Sequence, residues 1–336
     1  MRLPSQSLLS SILLATAAST LAAPPPSADV LEDVIVTANK VAEPLNKVAA
    51  SIGVMTAADL ASSRSVDLQD LVNHVPGVSS DFAGAPGTAS FAVRGISAGG
   101  GTSTTTGMYI DDVSINFGNF GFAGAFEPAF FDMDRVEVLR GPQGTLYGAE
   151  SFGGTIRFVN TAPTLGSFEG YLAADGYVQS KGAGGGSAQG AVNLPIAPTL
   201  ALRLAGIYQH DGGFVDHVGS SGATVRTNTN GQTITAARAT LVWEPAEGLR
   251  VTPLVEYQHT DNRDTWTYDR SLGEYKSPRL LDEPLQDRFR LAAVTTAFEF
   301  GVHTLTSVTS YVNREIDRIQ DYTIYDVGYV APPVVA

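Results

Sequence analysis

Five histidines, His74, His210, His217, His259 and His303, are scattered through the chain, and none stands at a metal-ligand spacing such as H-E-x-x-H. Each reads as a satisfied or solvated side chain. Cysteine is absent, which removes disulfides, thiolate metal sites and a cysteine nucleophile. Glu150-Ser151-Phe152-Gly153 is similar to a nucleophile elbow, but Ala149 replaces the first glycine and no strand-to-helix setting surrounds it. No glycine-rich loop ends in Gly-Lys-Ser/Thr, so nucleotide hydrolysis has no site and any work must draw its energy from outside the chain. What remains is a set of charges among apolar strands: Arg94, Arg135, Glu137, Arg140, Glu150 and Arg157. If buried they need partners; if solvated their pairs are worth little.

These charges sit on short, glycine-punctuated elements. In Asp134 to Asn160, Val136 to Leu139 predicts a strand, Arg140-Gly141-Pro142 a turn, and Thr155 to Val159 a second strand. Gly144, Gly148, Gly153 and Gly154 between them predict a compact loop packed closely against other backbone. Upstream, Ser51 to Met55 predicts a strand and Thr56 to Asp59 a capped helix start. A helix with Asp67 as cap follows, with Leu68, Leu71, Val72 and Val75 on one face and Pro76-Gly77 at its end. Phe91 to Ile96 and Met108 to Val113 predict strands around a Gly99 to Thr106 linker. Mixed short helices and strands over residues 51–163 make an α+β domain.

Residues 164–336 have a different texture. Leu200, Leu202, Leu204 and Tyr208 alternate with Ala201, Arg203, Ala205 and Gln209. Ala237 to Trp243 and Leu249 to Tyr257 repeat the pattern, one apolar face and one polar, as a wall between lipid and a wet lumen requires. A soluble sandwich would show the same alternation with the faces reversed. Turns at Leu194 to Pro198 and Glu244 to Gly248, long polar loops at Asp211 to Gln232 and Asp261 to Asp287, and further strands at Phe168 to Val178, Gly186 to Leu194, Phe289 to Phe300 and Thr304 to Arg314 give roughly seven strands.

The N-terminus, together with the family resemblance given below, tips the choice to a membrane barrel. Arg2, an apolar run around Leu8 to Leu14 and a small-residue tail to Ala23 predict a signal peptide over residues 1–22. No later run reaches the ~18 apolar residues of a membrane helix, so an exported chain in a membrane must cross it as a barrel. The net charge of −13 argues against nucleic acid as a partner.

The wording of Asp134 to Asn160, with Arg94-Gly95 and the Tyr-Ile-Asp-Asp run at Tyr109, resembles the plug domain of TonB-dependent outer-membrane receptors of the siderophore type. Asp33, Val34, Ile35, Val36, Thr37 and Ala38, within a leader over residues 23–50, resemble the family's TonB box. The resemblance implies a non-enzymatic importer without a resident cofactor in a Gram-negative outer membrane. Its box would pair with TonB of the TonB-ExbB-ExbD complex, its barrel would face lipid, and its small-molecule ligand would most often be an Fe(III)-siderophore. It also implies plug-to-barrel salt bridges from Arg94, Arg135, Glu137, Arg140, Glu150 and Arg157, with Gly95, Gly141, Gly153 and Gly154 as packing positions. The apical stretch with Phe117, Phe120, Phe122 and Phe126 is either a surface that meets ligand or a loop tucked against the wall. The expected fold is thus an α+β plug followed by an incomplete antiparallel transmembrane β-barrel. Plugged transporters use about 22 strands, so a fragment, a truncated product or a non-functional remnant is implied; a passive channel or adhesin is the rival reading.

Overall fold

The computed structural model describes residues 34–321, apart from positions 38, 42, 64–67, 82–83, 85–86, 99–102, 118–123, 220–221 and 280. The expectations for the signal peptide, Asp33, Ala38, Asp67, Phe120 and Phe122 lie outside those residues. The chain begins with a small hairpin, β1 (Ile35–Val36) against β2 (Glu43–Pro44). Then come β3 (Ser51–Thr56), α1 (Ala57–Ser63), α2 (Leu68–His74), the pair β4 (Val78–Asp81) and β5 (Ser90–Val93), β6 (Thr106–Ile110), β7 (Val113–Ser114), β8 (Met133–Arg140), α3 (Gly144–Tyr147) and β9 (Gly154–Asn160). One five-stranded sheet, ordered β3-β8-β9-β6-β7, organises them; only β6 and β9 run parallel.

Local chemistry accounts for the helices. At the start of α1, Thr56 and Asp59 cap reciprocally: the Thr56 N–H donates to Asp59 Oδ2 at 2.9 Å and the Asp59 N–H to Thr56 Oγ1 at 3.2 Å. In α2, Leu68 and Leu71 are buried, Val75 follows them into the core, and Gly77 ends the turn at φ 82°. Two expectations change. The stretch after Gly141 contains the single helical turn α3, and the Tyr109-Ile110-Asp111-Asp112 run is a tight hairpin, because Asp111 takes φ 51° and reverses the chain.

A second sheet follows: β10 (Glu169–Tyr177), β11 (Gly185–Ala197), β12 (Leu200–Asp211), β15 (Gln232–Ala246), β16 (Leu249–Asn262), β18 (Leu285–Phe300) and β19 (His303–Arg318). All neighbours are antiparallel and in sequence order, and the strip is open at β10 and β19. The prolines expected to end strands do not: β11 runs through Pro195 and β15 through Pro245, and each ladder shifts register beside its proline. A bulge absorbs the missing N–H. The long loops also carry structure of their own, a small sheet of β13 (Asp216–Val218), β14 (Thr224–Arg226) and β17 (Lys276–Ser277).

Period two decides which face is which. Ile234, Ala236, Arg238, Thr240 and Val242 of β15 point inward and are buried, as are Leu254, Glu256, Gln258 and Thr260 of β16. Trp243, Val255 and Tyr257 point outward and are exposed. Among the described residues no helix is long and apolar enough to cross a membrane. The inward face meets the first domain in a shared core: Leu71, Phe126, Ile156 and Phe158 belong to one cluster with Leu254, Phe289 and Leu291. Phe126 and Phe289 stack at 3.9 Å.

Close backbone approach explains one glycine. A Cβ on Gly154 would stand 2.5 Å from the Leu139 carbonyl oxygen and 2.8 Å from Val93 Cγ1. Gly154→Ala should therefore lower stability by about 1–3 kcal/mol, read as a lower thermal midpoint in detergent; an unchanged midpoint would mean that β8 and β9 can part without cost.

Candidate functional site

The five-stranded sheet lines up one row of side chains. Register places Val54 opposite Glu137, Glu137 opposite Arg157, and Arg157 opposite Tyr109. Arg135, two residues before Glu137, shares its face and donates from Nε to Glu137 Oε1 at 2.7 Å. Arg157 Nη1 donates to Glu137 Oε2 at 3.1 Å. Glu137 is fully buried and Arg157 nearly so; each survives burial only because the other is there.

This row grips the N-terminal hairpin. The Thr37 backbone N–H donates to Glu137 Oε1 at 3.0 Å, Arg135 Nη2 donates to Thr37 Oγ1 at 3.1 Å, and Arg157 Nη1 donates to the same hydroxyl. Val36 is buried beside it while Ile35 is half exposed. Lys40 supplies a second hold: its Nζ donates to Asp112 Oδ1 at 2.8 Å and lies 4.3 Å from the centre of the Tyr147 ring. Arg157 Nη2 reaches the same Asp112 oxygen at 3.2 Å.

Titration behaviour follows from this crowding. Burial pushes Asp112 up, but Arg157 and Lys40 outweigh it and hold the carboxyl below the usual range. Burial likewise works against the charged form of Arg157, and Asp112 and Glu137 more than restore it. Desolvation raises Asp111 despite hydrogen bonds from Asn160, and raises the Tyr147 hydroxyl to about 12.

Contacts between plug and wall come from elsewhere. The segment 124–132 runs across the inner wall, and successive strands reach it. Arg314 of β19 donates to the Gly124 carbonyl at 2.7 Å and pairs with Asp287. Gln258 of β16 donates to the Glu127 carbonyl and accepts from the Ala129 N–H, both at 2.9 Å. Arg238 of β15 donates to the carbonyls of Phe131 and Asp132 at 3.0 and 2.7 Å, and Arg203 of β12 grips the Asp132 carboxylate with a fork, Nε to Oδ2 at 2.8 Å. Arg238 also faces Glu256 at 3.5 Å.

The expected plug-to-barrel bridges are thus corrected. Arg135, Glu137 and Arg157 act within the plug and on the N-terminal hairpin, because β8 and β9 lie in the interior of its sheet. Arg140 donates to the Pro76 carbonyl at 3.2 Å. Arg94 is exposed at φ 54° and its backbone N–H bonds Gly77; neither it nor Glu150 has an ion pair among the described residues. Gly95 and Gly141 serve turns at φ 76° and 105°, and Gly153, like Gly154, lies close to Val93. Phe126, left open by the sequence between ligand contact and packing on the wall, is 2% exposed and stacked on the wall; Phe117, part-buried, meets Phe289 edge-on at 6.3 Å. Packing wins because the segment must cross an apolar patch of the lumen. Asp132, Arg203, Arg238, Gln258 and Arg314 were missed as plug contacts; inward polar residues on alternating strands were the available signal. His217 is brought beside Asp264 and Asp282 by the outer loops.

A mixed sheet thus packs against one face of an open antiparallel strip of seven strands. Comparison with known proteins agrees. Residues 44–155 match the TonB-dependent Receptor Plug Domain family. The chain is 31% identical over 188 residues to the vitamin B12 transporter BtuB of Vibrio vulnificus (strain CMCP6), a match covering 54% of this chain and 28% of that protein. It is 31% identical over 140 residues to the ferrichrome outer membrane transporter/phage receptor of Escherichia coli (strain K12), covering 41% and 18%. In fold it is similar to the ferric yersiniabactin uptake receptor FyuA of Yersinia pestis, with TM-score 0.68 and 19% identity over 80% of this chain and 41% of that one. It is also similar to the siderophore receptor PiuA of Acinetobacter baumannii, with TM-score 0.61 and 19% identity over 82% and 38%. Residues 44–155 are a TonB-dependent receptor plug domain, and the antiparallel strip that follows shares the fold of the solved receptors. It spans 28% and 18% of the two curated relatives.

Two outcomes test the clamp. Glu137→Gln removes the charge that pairs Arg135 and Arg157, and a spin label at position 35 should become mobile; a label as immobile as in the parent would show that the hairpin is held without Glu137. The pH dependence has a definite sign. A carboxyl whose folded pKa is lowered stabilises above its unfolded value of ~3.9 and loses that contribution as pH falls through the lower folded value. The Asp112 hold on Lys40 should thus persist down to about pH 4 and fail below it. Asp111, raised in the fold, runs the other way: its contribution is full below ~3.9 and is lost as pH rises through its folded value.

Proposed function

We propose that this chain is the plug and leading wall of an energised importer. The residues at Val34 to Thr37, with Asp33 and Ala38 flanking them, are its TonB box, drawn on by TonB of the TonB-ExbB-ExbD complex in the periplasm. The supporting observation is the Thr37 clamp. A two-residue strand with one apolar residue buried is weakly held by its own ladder, so its attachment depends on Glu137, Arg135 and Arg157. Those three stand on β8 and β9; β8 begins at Met133, next to the Asp132 that Arg203 and Arg238 tie to the wall. Pulling the hairpin loads the same strands that border the wall contacts. A gate moved by force rather than by nucleotide also fits a chain without a phosphate loop.

The ligand we assign is a scarce small molecule, an Fe(III)-siderophore, met at the outer end of the plug. Support comes from the relatives: one is named for ferrichrome and another for vitamin B12. Val36→Pro deletes the N–H an added strand would need. It should abolish uptake of radio-iron siderophore by cells carrying the receptor while leaving surface binding intact. Uptake that persists with Val36→Pro, or after the proton gradient is collapsed, would instead fit a passive channel. Saturable, energy-dependent uptake of cobalamin in place of iron chelate would overturn the ligand and keep the mechanism.

A further inference from the structure

Two copies of one tripeptide, Tyr208-Gln209-His210 and Tyr257-Gln258-His259, stand two wall strands apart, on β12 and β16. Their glutamines point inward and are buried, while the tyrosines are 54% and 41% exposed on the outward face. Tyr311 of β19, two strands further along, is 66% exposed on the same face. Register relates the three rings. Tyr208 opposes Thr235, which opposes His259, so Tyr257 lies two residues below the row of Tyr208, toward the short turns. Tyr257 opposes Arg290, which opposes Asn313, so Tyr311 lies two residues below the row of Tyr257. A drop of two residues over two strands, ~6.7 Å against ~9.6 Å, slopes the line of tyrosines by about 35° to the rows. Strands of membrane barrels tilt by ~35–45°, so the three tyrosines stand level when the strip is set in a bilayer at that tilt.

A second line repeats the slope. Trp243 opposes Val251, which opposes Thr296, and Phe298 lies two residues below Thr296, stacked on Phe300. Midway between Tyr257 and Tyr311 the upper line crosses β18 level with Leu291, seven residues before Phe298 and nine before Phe300. Projected on the membrane normal, the two lines are about 19–24 Å apart, close to the ~25 Å apolar band of membrane barrels.

The chemistry of the face changes at the upper line. Between the lines, the outward positions of β12, β15, β16, β18 and β19 carry no charged residue; Leu204, Ala239, Val255, Val294 and Thr309 stand there. Nearest above the line are Arg290, His210 and His259, and the carboxylates Asp261 and Glu315 come farther out. Arg290 gives Nη1 to Asn313 and Glu315, and its Nε and Nη2 have no partner among the described residues. An apolar face edged by amphipathic rings, with cations just beyond, matches the layers of a phospholipid: acyl chains, interface, phosphate. We infer that this outward face is seated in phospholipid, with its outer edge along Tyr208, Tyr257 and Tyr311 and with His210, His259 and Arg290 level with the lipid phosphates. The inference rests on the strip being the wall of the importer proposed above, and it fixes how that wall sits. The loops that carry β13, β14 and β17 then stand wholly outside the membrane.

The chain has no cysteine, so single labels can be introduced without removing any residue of that kind. The test is spin labelling of single-cysteine variants of the full chain in vesicles of phosphatidylethanolamine and phosphatidylglycerol, reading accessibility to oxygen against a nickel chelate. Labels at 206, 255 and 309 should favour oxygen and labels at 210, 259 and 313 the chelate, with the crossover at 208, 257 and 311. Labels at 210, 259 and 313 should also relax the lipid phosphorus signal more strongly than the rest. Without any label, Trp243 in a Trp266→Phe variant should be quenched more by lipids brominated near the headgroup than by lipids brominated at the chain ends. Crossovers at 208, 259 and 315, the residues level by register, would overturn the tilted boundary and leave the wall standing. Phosphorus relaxation equal at every position would overturn the phosphate level. Chelate preference at 206, 255 and 309 would overturn the interface and the wall together.

Discussion

A guanidinium with almost no access to water, that of Arg238, stands between the plug and the wall, and the arrangement of both domains follows from satisfying it. It bonds two plug carbonyls, faces Glu256 opposite it on the neighbouring strand and lies over the Phe131 ring. Arg203 completes the joint by taking the Asp132 carboxylate. Removing one member would leave its partner charged and dry, an expense of about 3–5 kcal/mol. Asp132 itself sits at φ 48°, a conformation an L residue holds only when its surroundings insist. The joint is therefore specific in register: it tolerates one placement of segment 124–132 against the strands.

Two polar systems divide the labour. The wall system of Arg203, Arg238, Gln258 and Arg314 addresses mostly backbone carbonyls, so it holds a path of chain more than particular side chains. The hairpin system of Glu137, Arg135 and Arg157 addresses one residue, Thr37. A clamp on a single residue is easily lost as a unit, whereas a series of independent carbonyl contacts yields stepwise. That difference suits an anchored plug with a detachable N-terminal segment.

The aromatic apex shows how tertiary packing overrides a plausible surface. Phenylalanines among glycines and alanines offer either an adhesive face or filler. Phe126 stacks on Phe289 because β18, alone among the wall strands described, presents two large apolar residues at consecutive inward positions, Phe289 and Leu291. The apolar patch on the wall and the aromatic run on the plug answer each other.

Much of this was legible in the residues. Alternation in Leu200 to Gln209 and Ala237 to Trp243 set which side chains face inward, because period two in a strand leaves no freedom. The capped start at Thr56, the helix face at Leu68 and Leu71, and the glycine-rich Asp134 to Asn160 were readable for the same reason: each is governed by neighbours within a few positions. Strand ends at Pro195 and Pro245 were misread because a bulge can absorb a missing N–H. The pairing of Glu137 with Arg157, the reach of Arg238 to Asp132, and the meeting of His217 with Asp264 could not be read. They depend on register between strands and on where loops close, which arise from packing over separations of tens of residues. Sequence determined the faces and the elements; only the folded chain decided which charges meet, since a buried charge chooses its partner by proximity in space.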